Sequence, residues 1–188
     1  MNVLDEAICF AAEKHSGQVR KMRAIPYILH PMEVASIIGT ITTDMNTMAA
    51  GVLHDTVEDC DVAPEEIRER FGPRVAALVA SETEDKLSNR PAAETWQERK
   101  EESLLMLKHT KDPDVKILWL ADKLSNIRSF YREFLVVGDA VWQPLHQKDP
   151  AKQQWYYETI AEYLSDLADT AAYQEYVELV HKLFHIGG

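Results

Sequence analysis

The sequence is short of cysteine, of clustered glycine and of positive charge, and each shortage excludes something. Its two cysteines, Cys9 and Cys60, form no disulfide framework and no metal-spaced pair, and Cys9 falls in an apolar helical pattern. Both are expected as reduced thiols of a cytosolic protein. The seven glycines build no glycine-rich phosphate loop. No segment alternates apolar and polar residues at strand period, which leaves an all-α chain. No apolar run approaches the ~20 residues that span a bilayer, and Asp5 and Glu6 stand where a signal peptide carries positive charge, so neither membrane nor export is expected. With 20 Lys+Arg against 31 Asp+Glu, the net charge of −11 opposes nucleic-acid binding. An anionic ligand would need a positive pocket of its own.

At 188 residues and 46% hydrophobic, the chain has the apolar content for one full core, read as a single-domain helical bundle over residues 1–188. The first helix is predicted over 2–16, with Leu4, Ala7, Ile8, Ala11 and Ala12 inward, Gly17 as its stop and His15 packed at its end. A basic loop (Arg20, Lys21, Arg23) follows, and Pro31 opens a helix to Ile41 that leaves His30 just outside its start. After a central helix from about Asn46 to Asp59, Pro64–Phe71 is closed by Gly72 and a new helix begins at Pro73. The polar stretch from Glu82 to Ala93 is expected as the most mobile loop. Thr95-Trp96-Gln97-Glu98 has capping-box spacing and predicts a helix over 96–109 with Leu104, Leu105 and Leu107 in the core. Asp112-Pro113 opens a long helix ended by Gly138, and Asp149-Pro150 an aromatic helix running to about Asp169. A last helix covers 171–185. The aromatic stripe (Trp155, Tyr156, Tyr157, Tyr163) serves either the core or a homo-oligomer contact, and His181 and His185 lie on a helix face.

Chemistry concentrates in His54-Asp55-Thr56-Val57-Glu58-Asp59. On a helix His54 and Glu58 stand one turn apart, as do Asp55 and Asp59. Three acids at one helical end repel one another and resist burial unless something compensates. A solvated acidic loop meets that need with water; a divalent metal meets it with charge. Two further polar residues keep apolar company. His30 sits in Tyr27-Ile28-Leu29-His30-Pro31, and Asp122 in Leu118-Trp119-Leu120-Ala121-Asp122-Lys123-Leu124-Ser125-Asn126, a helix whose inward face would normally reject a carboxylate. Asp122, Asn126 and Ser129 fall within about 60° on a helical wheel, a polar stripe expected to face the metal. Arg20 and Lys21, close in sequence to His30, are expected to contact phosphate.

These residues occur in separated blocks: Gly17-Gln18-Val19-Arg20-Lys21, Pro26-Tyr27-Ile28 with His30-Pro31, the His54–Asp59 run, and Leu120-Ala121-Asp122-Lys123-Leu124 with Asn126. Their order, His, His-Asp, Asp, resembles the ligand pattern of the HD phosphohydrolase superfamily. Over about residues 5–132 the blocks resemble the hydrolase domain of Rel/SpoT enzymes and the stand-alone small alarmone hydrolases of the Mesh type. The resemblance implies an HD-type fold, with His30, His54, Asp55 and Asp122 as ligands of a divalent ion, Mn2+. It implies Glu58 and Asp59 as the catalytic pair that takes or relays a proton, and Asn126 as a substrate contact beside Arg20 and Lys21. Ser129 keeps a hydroxyl where relatives carry Thr. The mixed nitrogen and oxygen set suits a six-coordinate first-row ion, and Fe2+, Co2+ or Zn2+ fit it too.

The implied reaction is hydrolysis of the 3′-diphosphate of (p)ppGpp to GDP or GTP and pyrophosphate, by a chain without the synthetase and regulatory parts of full-length Rel/SpoT proteins. The sequence departs from the Rel pattern in a basic loop one residue longer between Arg20 and His30, in Trp119 where Lys is usual, and throughout residues 133–188. Two other readings use the same residues. One is an HD phosphohydrolase acting on another nucleotide or an NADPH-like phosphate ester; the other is an inactive HD fold that binds nucleotide as a sensor or forms a protein interface.

Overall fold

A computed structural model describes residues 1–84 and 89–185. The chain forms two compact units, Met1–Thr83 with Asp112–Asp122, and Glu84–Lys111 with Lys123–Gly188. Among the described residues there is no strand; Val19 and Pro26 make one isolated antiparallel bridge inside the basic loop.

In the first unit, α1 (Val3–Lys14) starts at Asn2, whose side chain accepts the Asp5 N–H at 2.9 Å. Its inward face is Ala7, Phe10 and Ala11, with Phe10 edge-on to Phe71 at 5.3 Å. Ala12, expected inside, is exposed, and so is Cys9, because the buried stripe is centred on Phe10. Helix α2 (Leu29–Ile38) begins earlier than Pro31 predicts, so His30 lies inside its first turn rather than outside, and it ends at Ile38 instead of Ile41. Helix α3 (Met45–Leu53) is capped by Asp44, whose carboxylate accepts the N–H groups of Asn46 and Thr47. The central helix does not continue to Asp59. It stops at Leu53, and after a turn at His54-Asp55 a short α4 (Thr56–Asp59) follows.

Two glycines shape this unit. Gly72 takes φ +87° and divides α5 (Pro64–Glu82) into the two predicted segments, a backbone angle that side chains resist. Gly51 lets α3 approach α2: a Cβ there would stand 2.5 Å from Ile38 Cδ1 and 3.3 Å from Val34 Cγ1. The opening turns of α7 (Pro113–Val137) complete the unit as far as Asp122, burying Ile117, Leu118, Trp119, Leu120 and Ala121. Arg74 ties that helix start down through Asp112 and Asp114, and the Trp119 indole donates to the Ser81 carbonyl at 3.3 Å.

The second unit is richer in aromatics. Helix α6 (Ala92–His109) starts four residues before the predicted helix start at Trp96. Thr95 is buried inside it, with its hydroxyl turned back to the Pro91 and Ala92 carbonyls at 3.4 Å; Ala92 and Ala93 are good helix formers and carry the helix past the expected cap. Leu104 and Leu107 are buried, but Leu105 is 57% exposed and does not join the core. The rest of α7 ends before Gly138, as predicted, and a 3-10 turn follows over Gly138–Trp142. Helix α8 (Pro150–Tyr163) is capped by Asp149 and stops short of Asp169, giving way to a 3-10 turn at Ser165–Leu167. Helix α9 (Ala171–His185) packs on α8. Trp142 stacks on Phe184 at 5.5 Å, and the fully buried Tyr176 donates its hydroxyl to the Tyr157 carbonyl at 2.8 Å. Tyr156 and Tyr157 of the aromatic stripe are core residues. His181 lies beside His185, whose Nε2 meets Glu158 at 2.7 Å on the surface. Of the stretch expected to be mobile, residues 85–88 lie outside the described residues; beside them Glu84 is bound by Arg99 and Lys100.

Candidate metal centre

Three regions of the first unit bring their polar groups to one point. The second residue of α2 supplies His30, the turn between α3 and α4 supplies His54 and Asp55, and α7 supplies Asp122. Asp122 Oδ1 stands 3.0 Å from His30 Nε2 and 3.5 Å from His54 Nε2, while Asp55 Oδ2 stands 3.6 and 3.1 Å from the same nitrogens. Ligand atoms of His30, His54 and Asp122 all lie within 4.8 Å of one another. At bond lengths of about 2.1 Å, neighbouring ligands of a six-coordinate ion stand about 3 Å apart, so these spacings suit a cation.

The histidine chemistry supports the same fit. His54 Nδ1 lies 2.8 Å from the Gly51 carbonyl, which can only accept, so Nδ1 carries the proton and Nε2 presents its lone pair inward. That Nε2 is sealed from solvent and makes no hydrogen bond, although carboxylate oxygens of Asp55 and Asp122 stand nearby without alignment. Burial opposes charge on His54, but those two carboxylates outweigh it and raise the imidazole well above its ordinary pKa. Burial lowers His30 despite Asp122. Burial would raise Asp55, yet the His54 charge holds it far below the usual carboxylate range. Carboxylates that favour positive charge beside this nitrogen favour a divalent ion in the same place.

The remaining predicted residues are placed as follows. Glu58 is half-buried and Asp59 exposed, both on α4 directly after the His54-Asp55 turn. Arg20 lies over the Tyr27 ring at 5.5 Å, and Lys21 is exposed on the same loop. Asn126 and Ser129 are half-buried on α7, one and two turns beyond Asp122, and belong to the second unit.

Three residues beside the site are given no role in it by the sequence, although His15 is expected as packed at the end of the first helix, where it lies. The Tyr27 hydroxyl donates to Asp55 Oδ2 at 2.6 Å and approaches Asp59 Oδ2 at 3.4 Å. Burial first, and Asp55 next, push its pKa up, so it remains a donor. Buried His15 stacks on Tyr27 at 4.9 Å and bonds Gln18 Oε1 at 2.8 Å, and Gln18 Nε2 donates to the Asp59 carbonyl at 2.9 Å. Tyr27 and Gln18 stand within the matching blocks, but their partners lie 28 and 41 residues away, beyond any local periodicity.

Comparisons with known proteins identify relatives of the chain. The HD domain family matches residues 7–151. A zebrafish protein named guanosine-3′,5′-bis(diphosphate) 3′-pyrophosphohydrolase MESH1 is 42% identical over 134 residues, covering 69% of this chain and 70% of that one. An Aquifex aeolicus protein named guanosine-3′,5′-bis(diphosphate) 3′-pyrophosphohydrolase is 40% identical over 128 residues, 68% of this chain, but the chain spans only 18% of its length. Among solved structures, a metazoan ortholog of SpoT that hydrolyses ppGpp superposes with a TM-score of 0.75 at 25% identity, covering 97% of this chain and 95% of that one. A Listeria monocytogenes crystal structure superposes with a TM-score of 0.72 at 31% identity, covering 82% and 98%. With its two imidazoles and two carboxylates gathered in the order that first marked them out, the chain belongs to the HD domain family and is related within it to the Rel/SpoT-type and MESH1-type proteins.

Proposed function

We propose that this protein is a metal-dependent phosphohydrolase that cleaves the 3′-diphosphate of (p)ppGpp, releasing pyrophosphate and GDP or GTP. The observation that carries the proposal is the convergence of His30, His54, Asp55 and Asp122 in a chain 42% identical to a protein named as a ppGpp 3′-pyrophosphohydrolase. The four residues would hold a divalent ion, with Mn2+ as our choice. Such an ion supplies Lewis acidity toward a phosphoryl oxygen and makes water a stronger nucleophile.

The chain's own residues do the rest. Glu58 and Asp59, on the helix that follows the ligand turn, take the proton from the attacking water as its oxygen bonds to phosphorus. The bond from that phosphorus to the ribose 3′ oxygen breaks, and the same carboxylates relay the proton taken from water to the leaving oxygen. Asp55 and Asp122 consume positive charge at the centre, so the substrate's phosphates are met by Arg20 and Lys21, with Asn126 and Ser129 as further contacts. The reading also takes residues 1–188 as one HD domain, since the family match includes residues from both units. It places the chain in the cytosol, where Cys9 and Cys60 stay reduced.

The test is pyrophosphate release from ppGpp by Mn2+-loaded protein, compared with the Asp55→Asn variant. Release above the variant is the expected result. No release above it, with turnover of a different nucleotide on a substrate panel, overturns the assignment.

A further inference from the structure

The structure assigns Tyr27 a positioning role: its hydroxyl orients the Asp55 carboxylate for the cation. This deepens the proposed function and rests on the same centre. The Tyr27 oxygen is 2.6 Å from Asp55 Oδ2, the same oxygen that faces His54 Nε2 at 3.1 Å and His30 Nε2 at 3.6 Å. A carboxylate oxygen accepts a hydrogen bond on one lone pair and offers another to an ion, so the hydroxyl fixes the rotation of Asp55 without competing for the cation. Donors placed behind a ligand in this way orient it and tune its basicity.

The tyrosine is itself held. Its ring stacks on the buried His15, stands edge-on to His30 at 5.9 Å and lies beneath the Arg20 guanidinium. Gln18 joins His15 to the Asp59 backbone, so the loop is anchored to α4 by one bond to the main chain and one contact at the side chain. The 3.4 Å approach of the hydroxyl to Asp59 Oδ2 places one proton donor between a ligand and a general base.

Tyr27→Phe removes the hydroxyl and keeps the ring. Outer-sphere changes of this kind cost about 10–100-fold in metal affinity or activity. Titrating Mn2+ against a competing chelator should show binding about tenfold weaker in the variant, with kcat toward ppGpp reduced by a similar factor and KM unchanged within about twofold. The melting temperature of chelator-treated protein separates a folding defect from lost positioning, and Tyr173→Phe, which frees only the Ala161 carbonyl of the second unit, controls for loss of a tyrosine hydroxyl. If Tyr27→Phe binds Mn2+ as tightly as the parent, the assignment is overturned whatever its activity. If the parent binds Mn2+ but leaves ppGpp intact, the substrate reading fails while the affinity change still decides the role of Tyr27. A parent that binds no divalent ion removes both.

Discussion

The two units treat their most buried charges in opposite ways. In the second, buried and half-buried ions are answered by ions of the same unit: Glu84 takes Arg99 and Lys100, and Arg128 grips Glu175 through two bonds of 2.6 Å. In the first, His30, His54, Asp55 and Asp122 are pressed together with a buried His54 nitrogen left without a hydrogen bond. A closed network is a finished structural element, whereas a set of donors converging on one point is a binding site. The contrast sets the candidate metal centre of the first unit apart without any reference to relatives.

The strongest way to break the contrast is Asp122→Asn. It removes one charge from the cluster, and Mn2+ should then raise the melting temperature of the parent but not of the variant, since only an ion bound to the folded state shifts the transition. Pyrophosphate release should fall to background in the same variant. Next in size is Gly51→Val, which drives side-chain atoms into Ile38 and Val34; a urea melt should show a loss of about 1–3 kcal/mol from overpacking, accompanied by weaker Mn2+ binding because the Gly51 carbonyl orients His54.

In the second unit the expected effects are smaller and independent of metal. Tyr176→Phe removes the hydroxyl that donates to the Tyr157 carbonyl and should cost about 1 kcal/mol in a urea melt, equal with and without Mn2+. Glu84 gives the weakest effect near neutrality and a characteristic one in acid. Burial would raise its carboxyl, but Lys100, Lys123 and Arg99 hold it below the usual 4.5. Three cations share this carboxylate, so burial still draws the Lys100 ammonium down, and the carboxylate carries the net benefit. Its contribution to stability is complete above 4.5 and is lost as pH falls through the lowered value. Glu84→Gln should therefore flatten the fall in urea midpoint between neutral pH and pH ~3; an unchanged slope would show that the network contributes nothing there.

Much of this was legible in the sequence, for reasons that can be named. The density of acids after His54 and the carboxylate in the apolar run around Asp122 violate ordinary burial preferences, and such violations mark sites. Proline and glycine punctuation at Pro64, Gly72, Pro113, Gly138 and Pro150 located helix ends well, because these residues act locally. The capping box at Thr95 failed since a run of good helix formers before it outcompeted the cap. The stripe logic failed at Ala12 and Leu105, where tertiary packing selects the buried face. Tyr27 was hidden for another reason: nothing in a Pro-Tyr-Ile stretch reveals that its hydroxyl ends beside a carboxylate 28 residues on.

The interruption between α3 and α4 has one more consequence. His54 and Asp55 keep right-handed helical backbone angles through the turn, and their side chains put a nitrogen and an oxygen 3.1 Å apart. In the proposed centre, half of the donor set would thus be joined by a single peptide bond, as a bidentate chelate whose arms need not be gathered from distant parts of the chain. Capture of an ion by that half would carry little entropic penalty, so in the proposed centre the selectivity and lifetime of the complex should be governed by His30 and Asp122, the two arms that only folding can deliver.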